Sequence, residues 1–336
     1  MKALVLHAHG GNDQLQFHGN WPDPVPGPDD VLLRVHACSL NYHDVFTRRG
    51  MPGIRLTLPL IMGIDVTGEI VELGAAVTGW RLGQRVLVDP SDAEHGLLGE
   101  SFDGGLAELV RVPARMLLAL PDDVDFATAA SLPVAYGTAY RMMLARGGIR
   151  RGERVLILGA SGGVGSCCVQ LAAAAGCETA VVASTHHKLG RLQQLGAQHG
   201  FLHADGQWPQ AVRERFGKAS AAGPGPGGVD VVVNFTGGDT WVPSLKVLKH
   251  GGRLLTCGAT AGFDPKEDIR YIWTFELNIL GSNGWLREDL HALLEQVRSG
   301  QLEPVLHPRR FALADAPEAL TLLEQRAVTG KLIIEP

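Results

Sequence analysis

Residues 155–176 constrain the fold more than any other stretch of this chain. Four apolar residues (VLIL) run into a glycine-rich turn (GASGGVG) and then into a helical segment (SCCVQLAAAAG). A short continuous apolar run bounded by turn signals reads as a strand buried on both faces, the habit of a parallel sheet. The turn lets backbone come close to whatever lies in front of it, and the following helix aims its unpaired N–H groups at the same spot. That combination suits the diphosphate of a dinucleotide. Against the G-x-G-x-x-G fingerprint, the hexad is Ala160, Ser161, Gly162, Gly163, Val164 and Gly165. Alanine takes the first place, with Gly159 one residue earlier. Gly162 allows the close approach, and Gly165 the tight packing of helix on strand.

The end of the next strand speaks to which dinucleotide is held. Sites that prefer NAD put an acid there, about 20 residues on, to take the ribose 2′-hydroxyl. Here the chain reads VASTHHK over residues 182–188, with no carboxylate. The hydroxyls of Ser184 and Thr185, with Lys188, suit a 2′-phosphate, so NADPH is the expected cofactor. An ordinary solvated helix start is the alternative reading of the same residues.

The chain has 336 residues, a length that suggests two domains. Residues 1–122 alternate short β-branched runs with Gly/Pro punctuation, with strands expected at 3–8, 31–37, 65–71, 85–88 and 108–112. From residue 123 the pattern changes to strands and helices in alternation, after an Ala-, Leu- and Met-rich helical stretch over 126–146 interrupted at Pro133. Strands are expected at 155–158, 179–183, 231–234, 253–257 and 278–282, and helices at 166–175 and 189–195. Residues 221–228 (AAGPGPGG) read as a surface loop. Helices at 287–299 and 314–326 and a strand at 331–335 close the chain. The fold class is therefore α/β: a β-rich domain plus a doubly wound parallel sheet.

The formal net charge is −5, from 30 Lys+Arg against 35 Asp+Glu, which argues against a nucleic-acid surface. No apolar run reaches the roughly 18–20 residues of a bilayer span, so no membrane partner is expected. MKALVLHAHGG reads as a strand rather than a signal peptide. The 5 cysteines (Cys38, Cys167, Cys168, Cys177, Cys257) form no C-x-x-C pair, which fits reduced thiols and a cytoplasmic protein.

Several stretches together resemble the medium-chain dehydrogenase/reductase superfamily over essentially the whole chain, and within it the zinc-free quinone oxidoreductase branch. They are NYHD at 41–44 with TRRG at 47–50, PLIMGIDVTG at 59–68, GWRLGQRV at 79–86, FDGGLAE at 102–108, the glycine turn, and GKL at 330–332. The resemblance implies a GroES-like catalytic domain (1–122 and 286–336), a Rossmann domain (123–285) and an active site in the cleft between them. It also implies a homodimer through the Rossmann sheet edge near residues 278–282. By position it places Thr138 beside the nicotinamide ribose, and Gly162, Gly163, Val164 and Gly165 at the diphosphate. Ser184 and Lys188 fall at the 2′-phosphate, with His203 where some members keep a tyrosine. Asn234, Phe235 and Thr236 fall next to the adenine, and Gly258, Ala259 and Thr260 border the nicotinamide.

Zinc alcohol dehydrogenases of the superfamily keep a Cys at the place of Asn41 and Gly-His-Glu at the place of Gly63-Ile64-Asp65. Their third ligand falls near Val134, and a four-cysteine lobe falls between Pro90 and Phe102. Isoleucine and valine ligate nothing, and residues 91–101 contain no cysteine, so no metal is expected. His36, Cys38 and His43 lie nearby but read as ordinary packed residues. Without a Lewis acid, the charge that develops on hydride transfer must be spread over a π-system and met by hydrogen-bond donors. This favours quinones and α,β-unsaturated carbonyls as small-molecule substrates. Asn41 is expected to position groups beside the nicotinamide. Tyr42 is a candidate proton donor or oxyanion partner, or else a packed aromatic. Trp273, Trp285 and Met51 could shape the pocket, with core packing as the default. The alternatives are an enoyl-thioester or biosynthetic ene-reductase, with Arg48, Arg49 and Arg55 meeting a CoA phosphate, and an NADPH-binding protein without turnover.

Overall fold

The structure is a computed structural model that describes residues 1–336 except Asp205. The chain divides into two compact units, Met1–Ala135 with Leu290–Pro336, and Tyr136–Asp289.

In the first unit the strand Asp30–Ser39 is the centre of a seven-stranded sheet. It pairs antiparallel with Asp65–Leu73, with Leu109–Pro113 and with the C-terminal strand Lys331–Glu335. Two registers matter for function. Ser39 stands opposite Asp65 on one side and opposite Ile333 on the other. The last strand thereby brings Lys331 to the end of the central strand, where Leu40 N–H donates to Leu332 O at 3.0 Å. The alternation that puts Val31, Leu33 and Val35 inward builds the core with Val66, Ile70, Val110 and Val112. Each such side chain, fully buried, contributes about 1.5–3 kcal/mol.

The central strand leads into the helix Tyr42–Arg49, which the strand-and-turn reading of this region did not anticipate. Its end is set by Gly50 at φ 78°, a left-handed conformation natural for a helix terminus.

The second unit is a parallel sheet in the order His199–Leu202, Glu178–Ala183, Arg154–Leu158, Val229–Val233, Leu248–Thr256, Asn278–Gly281. In chain order this is 3-2-1-4-5-6, the doubly wound Rossmann arrangement. Val231, Val232 and Val233 are all fully buried, as a sheet covered on both faces requires. His199–Leu202 and the helix Trp208–Phe216 escaped the sequence reading.

The compact units meet at 135/136 in the N-terminal half. The helix Phe126–Ala130 belongs to the first unit, because Ala127 and Ala130 pack with Ala37 and Ile333. Thr67 Oγ1 donates to Phe126 O and Ser39 Oγ to Ala130 O, each at 2.9 Å. The C-terminal boundary falls at 289/290. From Pro133 onward the expected single helix is broken up: Leu132–Gly137 and Arg141–Arg146 wind as π-helical turns around Thr138–Tyr140. Pro133 has no N–H to donate to the helix ladder, which accounts for the interruption.

Candidate active site

In the second unit the strand Arg154–Leu158 delivers the chain to Gly159 at φ 66°, and the helix Gly163–Ala174 starts four residues later. Two glycines of the turn do different work. A Cβ on Gly165 would lie 2.5 Å from Ala160 Cα and 2.5 Å from Gly159 O, so helix and strand touch there and only glycine fits. A Cβ on Gly162 would meet nothing closer than Gly159 O at 3.8 Å. The space in front of Gly162 is open, and the helix that follows presents its free N–H groups there. The turn sits at the carboxyl end of the strand where the sheet order reverses, the place where such sheets hold ligands. The shape suits a dinucleotide diphosphate, with Ser161, Gly162, Gly163 and Val164 partly exposed at the cradle while Ala160 and Gly165 are buried behind it.

The other expected cofactor residues fall at the same end of the sheet, in different states. Ala183 pairs with Leu202, so exposed Ser184 and exposed His203 follow side by side. Thr185 caps the helix His186–Gln194 by accepting Lys188 N–H at 3.2 Å, so its hydroxyl is already engaged as a cap. Asn234 departs from expectation. It is fully buried, and its Nδ2 donates to Thr240 Oγ1 and Ser244 Oγ while Oδ1 accepts from Thr236 N and Gly237 N. Its amide is therefore a staple for the loop, and the neighbouring Phe235 and Thr236 carry the surface. Those two pack over Gly159, at 3.0 and 3.1 Å from where its Cβ would be. The loops after the fourth and fifth strands join through Thr260 N to Phe235 O at 3.3 Å and Ala261 N to Thr236 O at 2.7 Å. Gly258 and Ala259 sit just before that junction, and a Cβ on Gly258 would meet only Phe235 O at 3.8 Å. Thr138, nearly buried, opens the short helix Thr138–Tyr140.

In the first unit Asn41 lies at the centre of a closed polar cluster. Asp65 Oδ2 accepts from Ser39 Oγ at 2.9 Å, from Asn41 Nδ2 at 2.8 Å and from Lys331 Nζ at 3.2 Å, while Oδ1 accepts from Val134 N at 3.0 Å. The Lys331 ammonium also donates to Asn41 Oδ1 at 2.5 Å and Leu40 O at 2.9 Å, which uses all three of its donors. Ser39 and Asp65 are 0% exposed, Lys331 3% and Asn41 6%. Both ends of the Asn41 amide are thus committed inside the protein. Asn41 Nδ2 also lies 3.5 Å from Ser39 O.

Directly after it, Asp44 is fully buried, accepting Asn41 N–H at 2.7 Å through Oδ2 while Oδ1 has no partner. Burial pushes its carboxyl up to about 6, and the Asn41 N–H, His43 and Lys331 pull back only part of the way. Tyr42 is half-buried, its ring edge-on to Phe46 at 5.2 Å between centroids. Its neighbour His43 meets Glu100 at 2.5 Å through Nε2.

Zinc does not fit this donor set. Ile64 is fully buried beside Asp65, Val134 contributes its N–H, and the oxygens of Asp65 and Asn41 already face the Lys331 ammonium. Where relatives would carry a four-cysteine lobe, residues 91–97 form a two-stranded hairpin held by Arg115 against Asp92 at 2.7 Å and Glu94 at 2.6 Å. Among the described residues, no group of three or more His, Cys, Asp or Glu could hold a metal ion.

The arginines considered for a CoA phosphate are mostly committed elsewhere. Arg48 is 2% exposed and pairs with Glu324, and Arg49 reaches the same carboxylate at 2.8 Å. Arg55 is exposed and makes no such pair among the described residues. Trp273, with core packing as its default, is instead 63% exposed.

Comparison with known proteins covers both units. Residues 27–122 match the alcohol dehydrogenase GroES-like domain family, and residues 163–299 match the zinc-binding dehydrogenase family. A 2-methylene-furan-3-one reductase of Solanum lycopersicum is 32% identical, across 100% of this chain and 79% of the relative. A quinone oxidoreductase of Sus scrofa is 27% identical, across 99% and 97%. Among solved structures, an NAD-dependent alcohol dehydrogenase superposes with a TM-score of 0.92 at 31% identity, covering 100% of both chains. A 2-octenoyl-CoA carboxylase reductase in complex with NADP and 2-octenoyl-CoA superposes at 0.85 and 26% identity, covering 99% and 87%.

Proposed function

The chain belongs to the medium-chain dehydrogenase/reductase superfamily, quinone oxidoreductase-like, and from that premise we propose that it is an NADPH-dependent reductase of quinones or α,β-unsaturated carbonyls that works without zinc. The observation that carries this reading is the closed Asn41–Asp65–Lys331 cluster. It offers no Lewis acid to hold a localised alkoxide, so the acceptor itself must delocalise the charge. When bound, the reduced nicotinamide supplies a hydride. The glycine turn would hold its diphosphate, Ser184 and Lys188 its 2′-phosphate with His203 beside them, and Thr138, Gly258, Ala259 and Thr260 would line the nicotinamide end. Tyr42, whose hydroxyl has no protein partner among the described residues, is the phenol that would meet the substrate oxygen.

An absorbance assay of NADPH consumption against panels of quinones, enones and simple aldehydes tests the reading. Turnover with conjugated acceptors and little with saturated aldehydes supports it, and the reverse order overturns it. Likeness to a structure holding 2-octenoyl-CoA favours a second reading, reduction of an enoyl thioester, which adding enoyl-CoA substrates to the same panel would settle. The edge strand Asn278–Gly281, with Ile279 40% exposed, supports a homodimer through that edge, measurable by light scattering. Among the described residues no helix is long and apolar enough to cross a membrane, and all five cysteines are free thiols, which suits a reducing compartment such as the cytoplasm.

A further inference from the structure

We propose that His43, oriented by Glu100, is the proton donor that completes the reduction. The inference rests on the reductase reading above and extends it to a residue that the sequence pattern left as ordinary packing.

The helix Tyr42–Arg49 places His43 one residue beyond Tyr42 and two beyond the Asn41 cluster. Its side chain is 36% exposed, while Glu100 is 18% exposed. The carboxylate takes Nε2 at 2.5 Å and is braced by Thr47 Oγ1 at 3.4 Å. With Nε2–H donated to Glu100, the other ring nitrogen, Nδ1, has no protein partner among the described residues and is the one left to exchange a proton.

The loop that carries Glu100 is built for placement. Gly99, at φ 74°, packs so closely that a Cβ would lie 2.8 Å from the backbone of Gly63, two residues before Asp65. Gly104 presses on the same residue, at 2.3 Å from Gly63 O by the same measure. Gly99 N donates to Phe102 O at 2.8 Å, and the Arg115-held hairpin enters the loop from the other side. Glu100 is therefore fixed relative to the Asn41–Asp65–Lys331 cluster by backbone-to-backbone contact.

Two charged groups act on the ring: Glu100 from this loop and Asp44 from its own helix. Burial lowers the imidazole's proton affinity, but the Glu100 hydrogen bond and charge, with Asp44, outweigh it and leave the group raised above 6.5. The balance of the step is then complete. The bound nicotinamide would supply the hydride for a C–H bond at the β-carbon, and the alkene pair would move through the carbonyl to give an enolate. The Nδ1–H bond of the imidazolium breaks, its proton forms an O–H bond on the enolate oxygen, and its electron pair stays on Nδ1. Neutral His43 is recharged from solvent, and the enol relaxes to the saturated ketone.

The experiment measures kcat and KM for enone reduction against pH in the wild type, His43→Gln and Glu100→Gln. For wild type, kcat should fall as pH rises through the imidazole's titration. His43→Gln should lose about 10²-fold in kcat with little change in KM, and the falling limb should vanish. Glu100→Gln, which keeps the ring but removes its counter-charge, should move the limb toward acid. A purely structural role for the pair would leave the limb where it is. The proposal is overturned if His43→Gln keeps kcat within about twofold and the same limb, or, should that variant not fold, if Glu100→Gln leaves the limb unmoved. A wild-type enzyme that reduces no conjugated acceptor would defeat the reductase reading instead, a result distinguishable from either.

Discussion

The candidate cradle at the glycine turn is made of backbone, and the buried cluster around Asn41 is made of side chains. The turn works because Gly159 takes a positive φ, Gly165 lets helix touch strand and Gly162 leaves room in front. All three demands arise within seven residues. The Asn41 cluster works because an ammonium from residue 331 is carried, by strand pairing, to a carboxylate at residue 65 and an amide at residue 41. A backbone site tolerates changes of side chain around it but not of its glycines. A buried ionic site behaves in the opposite way, since every member holds the charge of another.

Substitutions can break this contrast at either place. The largest effect is expected from Lys331→Met, which strands Asp65 without a counter-charge in the core and should cost about 3–5 kcal/mol in urea unfolding. Adding Asp65→Asn to that variant should recover part of the loss, because the uncompensated charge is then gone.

Next comes the pH dependence of stability. Asp44 binds its proton more tightly in the folded chain, at about 6 against 3.8 for an ordinary aspartate. Its contribution is therefore complete below about pH 4 and is lost as pH rises through 6, a change of about 3 kcal/mol at 1.36 kcal/mol per unit. Asp44→Asn should flatten the unfolding free energy between pH 4 and 6 relative to the parent.

Smaller again is Gly165→Ala. The overlap with Ala160 should cost about 1–3 kcal/mol and push the turn out of shape, weakening cofactor binding measured by fluorescence titration. The smallest effect is Lys188→Ala, with about a tenfold rise in KM for NADPH and little change for NADH, if the ammonium meets the 2′-phosphate. Equal changes for the two cofactors would remove that contact from the account.

The same contrast explains what could be read from the amino-acid order. The glycine turn and its strand were legible because their causes are local: the expected run at 155–158 became Arg154–Leu158, and the expected helix began three residues past its observed start. The role of Lys331 was not legible, because a lysine in a terminal GKL gives no local sign that it will be 3% exposed beside Asp65. Asn234 shows the same limit. Its place at a strand end was right, but the burial of its amide against Thr240 and Ser244 depends on how the loop folds back. The strand His199–Leu202 was missed since HGFL offers neither an apolar run nor alternation, and an edge strand half open to solvent needs neither. Helix Phe126–Ala130 looked like part of a long Ala-rich helix, and only its contacts with Ala37 and Ile333 assign it to the first unit.

One preparation assayed four ways bears most directly on the central claim: NADPH with an enone, and NADP with a simple alkanol, each before and after a strong chelator. A zinc-free reductase of conjugated acceptors should consume NADPH briskly with the enone, indifferent to the chelator, and react negligibly with the alkanol. Efficient alkanol oxidation that the chelator abolishes would contradict this reading.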